Sequence, residues 1–183
     1  MPYGHVALRV VNAGSDKTYD YGRYGKTWGF GDSQGEGMLR IWSDFGKYIT
    51  GENATGRTTT GYTFTVTPEE AQKVDDYFSG KIAGITPNQD RGYMKQYKLA
   101  DDYDALSSNC TTLSVEGAKQ ALPNIDKHAS SFNEGRGLGF GEKIAAKAAG
   151  WPGHIFMPQD LGALLSGTSG TEKPTIETYS GGQ

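Results

Sequence analysis

The sequence predicts an α+β domain in which an antiparallel sheet packs on helices, and three observations carry that prediction. Val6, Leu8 and Val10 alternate with His5, Ala7 and Arg9, the period-2 pattern of a half-buried strand. Thr67-Pro68-Glu69-Glu70 reads as a capping box with proline at the first helical position, and Ala71, Val74, Phe78 and Ile82 recur behind it at helical spacing. Beyond Cys110 strand-like runs almost cease and the chain reads as helix and loop.

Taken in order, the first strand ends at Asn12-Ala13-Gly14-Ser15-Asp16, a turn signal, and an aromatic-rich second strand is expected over Thr18–Tyr24. Residues 25–37 are glycine-rich and polar and read as a loop. Met38–Trp42 and Lys47–Thr50 are short strand candidates, and Arg57–Thr67 is a Thr/Tyr/Phe/Val strand. The helix after Thr67 carries Lys73, Asp75 and Asp76 on its wet face and meets a stop at Gly84. A second helix should open at Cys110 and run to about Leu122, before Pro123. Residues 123–141 read as a long loop, Glu142–Ala149 and Pro158–Leu165 as short helices. Residues 1–165 form a single domain in this reading, and the Gly/Ser/Thr-rich segment 166–183 is a flexible tail.

Composition removes several function classes. The 183 residues suffice for one real core, and a single cysteine excludes an intramolecular disulfide. A formal charge of −3, with no Lys/Arg cluster, argues against nucleic acid as a partner. The longest apolar run, Val6–Val11, is broken by Arg9, so no membrane span is expected. The N-terminus lacks an apolar h-region, which points to synthesis in the cytoplasm without an ordinary secretory signal. Gly135, Gly137, Gly139 and Gly141 have neither a preceding strand nor a following Walker lysine, so a phosphate loop is not read there. No cofactor and no metal-ligand set is read from the chain.

What remains is Cys110. It follows Ser107-Ser108-Asn109 and opens a helix that Ser108 or Asn109 can cap. A first-turn thiol faces unpaired backbone N–H groups and the positive end of the helix dipole, both of which favour the nucleophilic thiolate. The competing reading is a small buried hydrophobe. A thiolate site needs an imidazole and a group to orient it. Of the three histidines, His5 opens a regular strand, His128 sits in a polar loop, and His154 lies in the apolar Trp151-Pro152-Gly153-His154-Ile155-Phe156, so His5 is the first candidate. If the first two strands form a hairpin, a two-residue loop sets His5 opposite Gly22 with Asp20 diagonal on the same face, and a four-residue loop sets Asp20 directly opposite. An odd-length loop turns Asp20 away. Asp20 is therefore the candidate third member, against a reading as a surface residue on an edge strand. Tyr3, Tyr19 and Tyr21 are candidates to line the groove, though with 11 tyrosines packing explains any one of them.

Gly4-His5-Val6-Ala7-Leu8-Arg9 on the first strand, a β-rich middle and Ser108-Asn109-Cys110-Thr111-Thr112 opening a late helix together resemble the circularly permuted NlpC/P60 cysteine hydrolases of the papain-like superfamily. The resemblance spans about residues 4–122. It implies a papain-like NlpC/P60 fold in permuted order and acyl chemistry through a thioester, with Cys110, His5 and Asp20 in the catalytic roles and the Cys110 backbone N–H as an oxyanion donor. Members cleave peptide bonds of the peptidoglycan stem, and some are type VI secretion effectors that act as antibacterial toxins in the periplasm of a target bacterium. A peptidoglycan peptide substrate, a cognate immunity protein and a secretion-machine component are the partners so implied. The lipid-acting lecithin-retinol acyltransferase branch often carries a second histidine on the following strand, where this chain has Tyr19, Asp20 and Tyr21. A papain-like toxin modifying a protein, as deamidase or protease, uses the same triad, and a non-enzymatic β-rich binding module is the reading without chemistry.

Overall fold

The computed structural model describes residues 4–136, 138–148, 154–170 and 173–180. Its frame is a five-stranded antiparallel sheet whose strands lie in the order β1 (Ala7–Asn12), β2 (Ser15–Gly22), β5 (Met38–Trp42), β8 (Met94–Lys98) and β7 (Gln89–Asp90). Strand β1 (Ala7–Asn12) turns into β2 (Ser15–Gly22) through Ala13 and Gly14, whose φ values of 45° and 82° are the left-handed pair of a type I′ hairpin. Gly14 adopts that geometry without steric cost. The turn fixes Ala7 opposite Asp20 and Leu8 opposite Tyr19. Short strands β3 (Thr27–Trp28) and β4 (Gln34–Gly35) follow, and then β5 (Met38–Trp42), which pairs with β2 and places Arg40 opposite Asp20.

The two faces of this sheet are chemically different, as the register requires. Leu8, Val10, Tyr19, Tyr21 and Leu39 point to a core shared with Ala71, Val74 and Phe78 of α2 (Pro68–Lys81). Phe78 is 1% exposed and stacks on Tyr19 with ring centroids 4.0 Å apart. Helix α2 has the expected capping box, with Thr67 and Glu70 each accepting from the other's backbone N–H. The opposite face carries Arg9, Thr18, Asp20, Arg40 and Trp42 and is covered by α1 (Phe45–Ala54), whose Phe45 lies under the Arg9 guanidinium and whose Tyr48 meets Trp42 edge-on. Lys47–Thr50, expected as a strand, lies inside this helix. Its β-branched residues suggest sheet, but Asp44 caps a helix by accepting from the Lys47 N–H.

Strand β6 (Thr59–Thr63) is shorter than expected. Strands β7 (Gln89–Asp90) and β8 (Met94–Lys98) complete the large sheet from a polar stretch that carries no apolar alternation. Strand β9 (Tyr103–Asp104) pairs with β4, so the expected loop 25–37 contains two strands of a separate three-stranded sheet. Helix α3 (Cys110–Ala118) ends earlier than the expected Leu122, because Gln120 and Ala121 bond three residues back and tighten the last turn. Helices α4 (Ala129–Phe132), α5 (Phe140–Ala148) and α6 (Pro158–Gly167) follow. The expected loop 123–141 thus holds α4 and the start of α5; its Gly137, like Ala149 at the expected end of the next helix, lies outside the described residues. The segment expected to be a flexible tail, 166–183, supplies β10 (Thr175–Tyr179), which pairs antiparallel with β6. Ile155, Leu161, Leu164 and Leu165 pack with Val115 on the outer side of α3, forming a second apolar cluster.

Antiparallel sheets packed with helices are as the sequence predicts. Replacing Phe78 by alanine removes the ring that joins α2 to the sheet, and we expect a loss of about 3–5 kcal/mol. Urea unfolding followed by circular dichroism reads this directly.

Candidate active site

The site lies where the large sheet ends and α3 begins. His5 does not open β1 as expected; it stands two residues before Ala7, where the sheet has run out and the ring can turn between the strand and the helix. Extending the register by two residues sets His5 opposite Gly22 with Asp20 as its diagonal neighbour, the arrangement of the two-residue turn. The His5 Nε2 is 2.5 Å from Asp20 Oδ1. Asp20 is no surface residue: it is 2% exposed, inside the sheet and beneath α1.

Two more groups hold this carboxylate, Tyr24 and Arg40. Tyr24 donates its hydroxyl to Asp20 Oδ1 at 2.8 Å and lies 3.3 Å from His5 Nε2. The Arg40 guanidinium stacks on the Tyr24 ring at 3.4 Å and donates through Nε to Gln96 Oε1 at 2.8 Å. Gly22 makes room for this packing, since a Cβ there would meet the Tyr24 ring at 2.9 Å. Burial alone would raise the Asp20 pKa, but the His5 charge and hydrogen bond, the Tyr24 hydroxyl and the Arg40 charge hold it below the usual carboxylate range. Tyr24, Arg40 and Gln96 were not legible as site residues, because each acts through strand pairing or through the chain just past a strand end.

Cys110 is the first residue of α3 and is 6% exposed. The cap is Asn109, not Ser108: its side-chain oxygen accepts from the Thr111 and Thr112 N–H groups, and its amide donates to the carbonyls of Ala105 and Phe156. Thr112 completes a capping box by accepting from the Asn109 N–H. The approach to the cap is folded by Asp104, which accepts from the N–H groups of Leu106 and Ser107 and pairs by backbone with Ser108. The Cys110 N–H belongs to the first turn of α3, whose leading donors have no intrahelical acceptor.

Thiol and imidazole are coupled. Burial pushes the Cys110 pKa up, yet the hydrogen bond and charge of His5, with the Val6 backbone N–H, bring it below the ordinary thiol value. Burial pulls His5 down, and Asp20 and Cys110 together hold it well above the ordinary imidazole value. The ring meets the carboxylate through Nε2 and also bonds the thiol. The arrangement favours an imidazolium–thiolate pair backed by a carboxylate. The other histidines lie apart from it. The His154 ring is 3.3 Å from the Leu106 carbonyl, and His128 stands before α4 without a capping side chain. Tyr21 lines the cleft, Tyr19 is in the core donating to Asp75, and Tyr3 lies outside the described residues. Among the described residues, no group of three or more His, Cys, Asp and Glu side chains could hold a metal ion, and no helix is long and apolar enough to cross a membrane.

Two outcomes follow for the folded protein. Alkylation of Cys110 by iodoacetamide should titrate below the free-thiol value of about 8.5, and His5→Ala should raise the inflection, as the imidazole that offsets burial is then gone and the Val6 N–H remains; stopped-flow alkylation across pH measures both. The Asp20–His5 pair stabilises the fold above the unfolded Asp value of about 3.9, and that contribution disappears as pH falls through the lowered folded value. Its His5 part is full below about 6.5 and fades as pH rises through the raised folded value. Asp20→Asn should therefore destabilise by about 3–5 kcal/mol near pH 6 and progressively less below pH 4, read from urea midpoints at each pH.

Compared with protein-family models, curated proteins and solved structures, the chain matches none, and its functional reading rests on the residues and geometry described above.

Proposed function

We propose that this chain is a cysteine hydrolase that cleaves an amide bond in the peptide part of peptidoglycan, acting as an antibacterial toxin in the periplasm of a target bacterium after delivery by a secretion machine. The observation that carries the hydrolase reading is His5 held between a buried Asp20 and the thiol at the capped start of α3. The substrate class comes from the resemblance of the Gly4–Arg9 and Ser108–Thr112 segments to permuted NlpC/P60 hydrolases.

The chemistry then follows from the residues. The Cys110 thiolate attacks the amide carbonyl carbon, and the new oxyanion is met by the Cys110 N–H. The imidazolium of His5 gives its proton to the leaving amine, the C–N bond breaks, and a thioester remains on Cys110. Neutral His5 then takes a proton from water, whose oxygen attacks the thioester carbonyl. The carboxylate product leaves and the thiolate returns beside imidazolium. Asp20 keeps the ring oriented and stabilises its charged form without taking the proton itself.

Purified peptidoglycan incubated with the protein should release new amine and carboxyl ends, seen by mass spectrometry of the soluble fragments, and Cys110→Ala should release none. Given an export signal, the protein should lyse the expressing bacterium, whereas cytoplasmic expression should be tolerated. Equal toxicity from the cytoplasm would replace the wall substrate by a protein one. Deacylated phospholipids with intact stem peptides would move the assignment to the lipid branch.

A further inference from the structure

The cleft that reaches Cys110 has a charge pattern the mechanism does not use. Besides Cys110 and His5, its charged lining consists of Arg23 and Arg57, and among the described residues no carboxylate lines it. Asp20 contacts His5 from behind, and its charge is matched there. A chain with a formal charge of −3 therefore presents two guanidinium groups at its nucleophile. They come from separate segments: Arg23 directly follows β2, and Arg57 leads into β6. Both are held in place. Arg23 lies over the Tyr103 ring at 5.4 Å, and Glu52 anchors Arg57 Nη1 at 2.9 Å. Tyr103 also lines the cleft, so Arg23 and the ring beneath it form one wall.

We propose that Arg23 and Arg57 form an anion-binding rim that selects peptide substrates carrying a free carboxylate within one residue of the scissile amide. This rests on the amide-hydrolase reading and adds the substrate feature that the site recognises. A guanidinium fork matches the two oxygens of a carboxylate, and charge-assisted bonds of this kind gain strength where water is excluded. The cleft is small, and Arg23, Arg57 and Tyr103 line it together with Cys110. The rim positions the substrate and takes no part in proton transfer. Its effect therefore falls on discrimination between acid and amide forms.

The test uses two soluble stem-peptide fragments that differ only in whether the carboxyl group next to the cleaved amide is free or a primary amide. Wild type should cleave the acid form with kcat/KM about tenfold higher, mainly through KM, and raising salt should weaken that preference. Arg23→Gln should bring the acid-to-amide ratio close to one, and Arg23→Lys should restore part of it. Arg57→Gln should act in the same direction, with its melting curve showing whether loss of the Glu52 partner unfolds it; Arg57→Lys keeps that contact if so. Equal cleavage of both forms by wild type would overturn the rim while leaving the hydrolase standing. A ratio that stays high in Arg23→Gln and Arg57→Gln would overturn the role of these two residues. Cleavage of neither form by wild type would overturn the peptidoglycan reading and the rim together.

Discussion

Asp20 is an ionised side chain inside a five-stranded sheet, and much of the structure around it consists of what such a group demands. A carboxylate withdrawn from water costs several kcal/mol unless cations and donors face it. The sheet supplies Arg40 directly across β5, the chain past β2 returns Tyr24, and the residues before β1 bring His5. The row continues as Arg40 reaches Gln96 and Gln96 reaches Asn88, so one carboxylate is tied through hydrogen bonds to the far side of the sheet. Remove the ionised oxygen and this row has no reason to be polar. The same demand explains the roof: Tyr48 of α1 is 5% exposed and closes the face on which the row lies.

The thiol side of the site is held by different means. Asn109 satisfies the first turn of α3 and ties it to Phe156, so the position of the sulfur depends on the segment leading into α6. That segment is in turn fixed by Asp160, which is fully buried and accepts from the backbone of Gly135 and Arg136 and from the Arg136 guanidinium at 2.8 Å. Asn133 meanwhile donates to the His154 carbonyl. The C-terminal third thus buttresses the helix whose first residue is Cys110. His154 belongs to this support.

Local signals were the legible ones. The Thr67 capping box, the turn signal at Asn12–Asp16 and the strand at Met38–Trp42 can each be read within a few residues, and the two-residue turn, one of the loop lengths the sequence allowed, is the one that sets Asp20 diagonal to His5. Strand β8 was hidden because its buried positions, Met94 and Gln96, include a polar side chain matched only by Arg40 across the sheet. Strand β10 was hidden because a Thr-rich segment reads as tail until β6 is beside it. Lys47–Thr50 misled because β-branched residues were weighed above the capping aspartate that precedes them. Arg23 and Arg57 had no pattern of their own, since neither lies near Cys110 along the chain.

The hairpin between β1 and β2 has a consequence for when reactivity can arise. Its turn is two residues long, and His5 and Asp20 are 15 residues apart, so imidazole and carboxylate can meet through contacts of short range, the kind that close in microseconds. Cys110 joins them only when a much longer stretch of chain has been brought back onto the sheet, at a greater loop-closure cost. Until then the sulfur has neither the imidazolium nor an ordered helix terminus beside it and keeps the acidity of any free cysteine. A ribosome-bound or unfolded chain therefore carries an ordinary thiol, and its nucleophile is switched on by the act of folding.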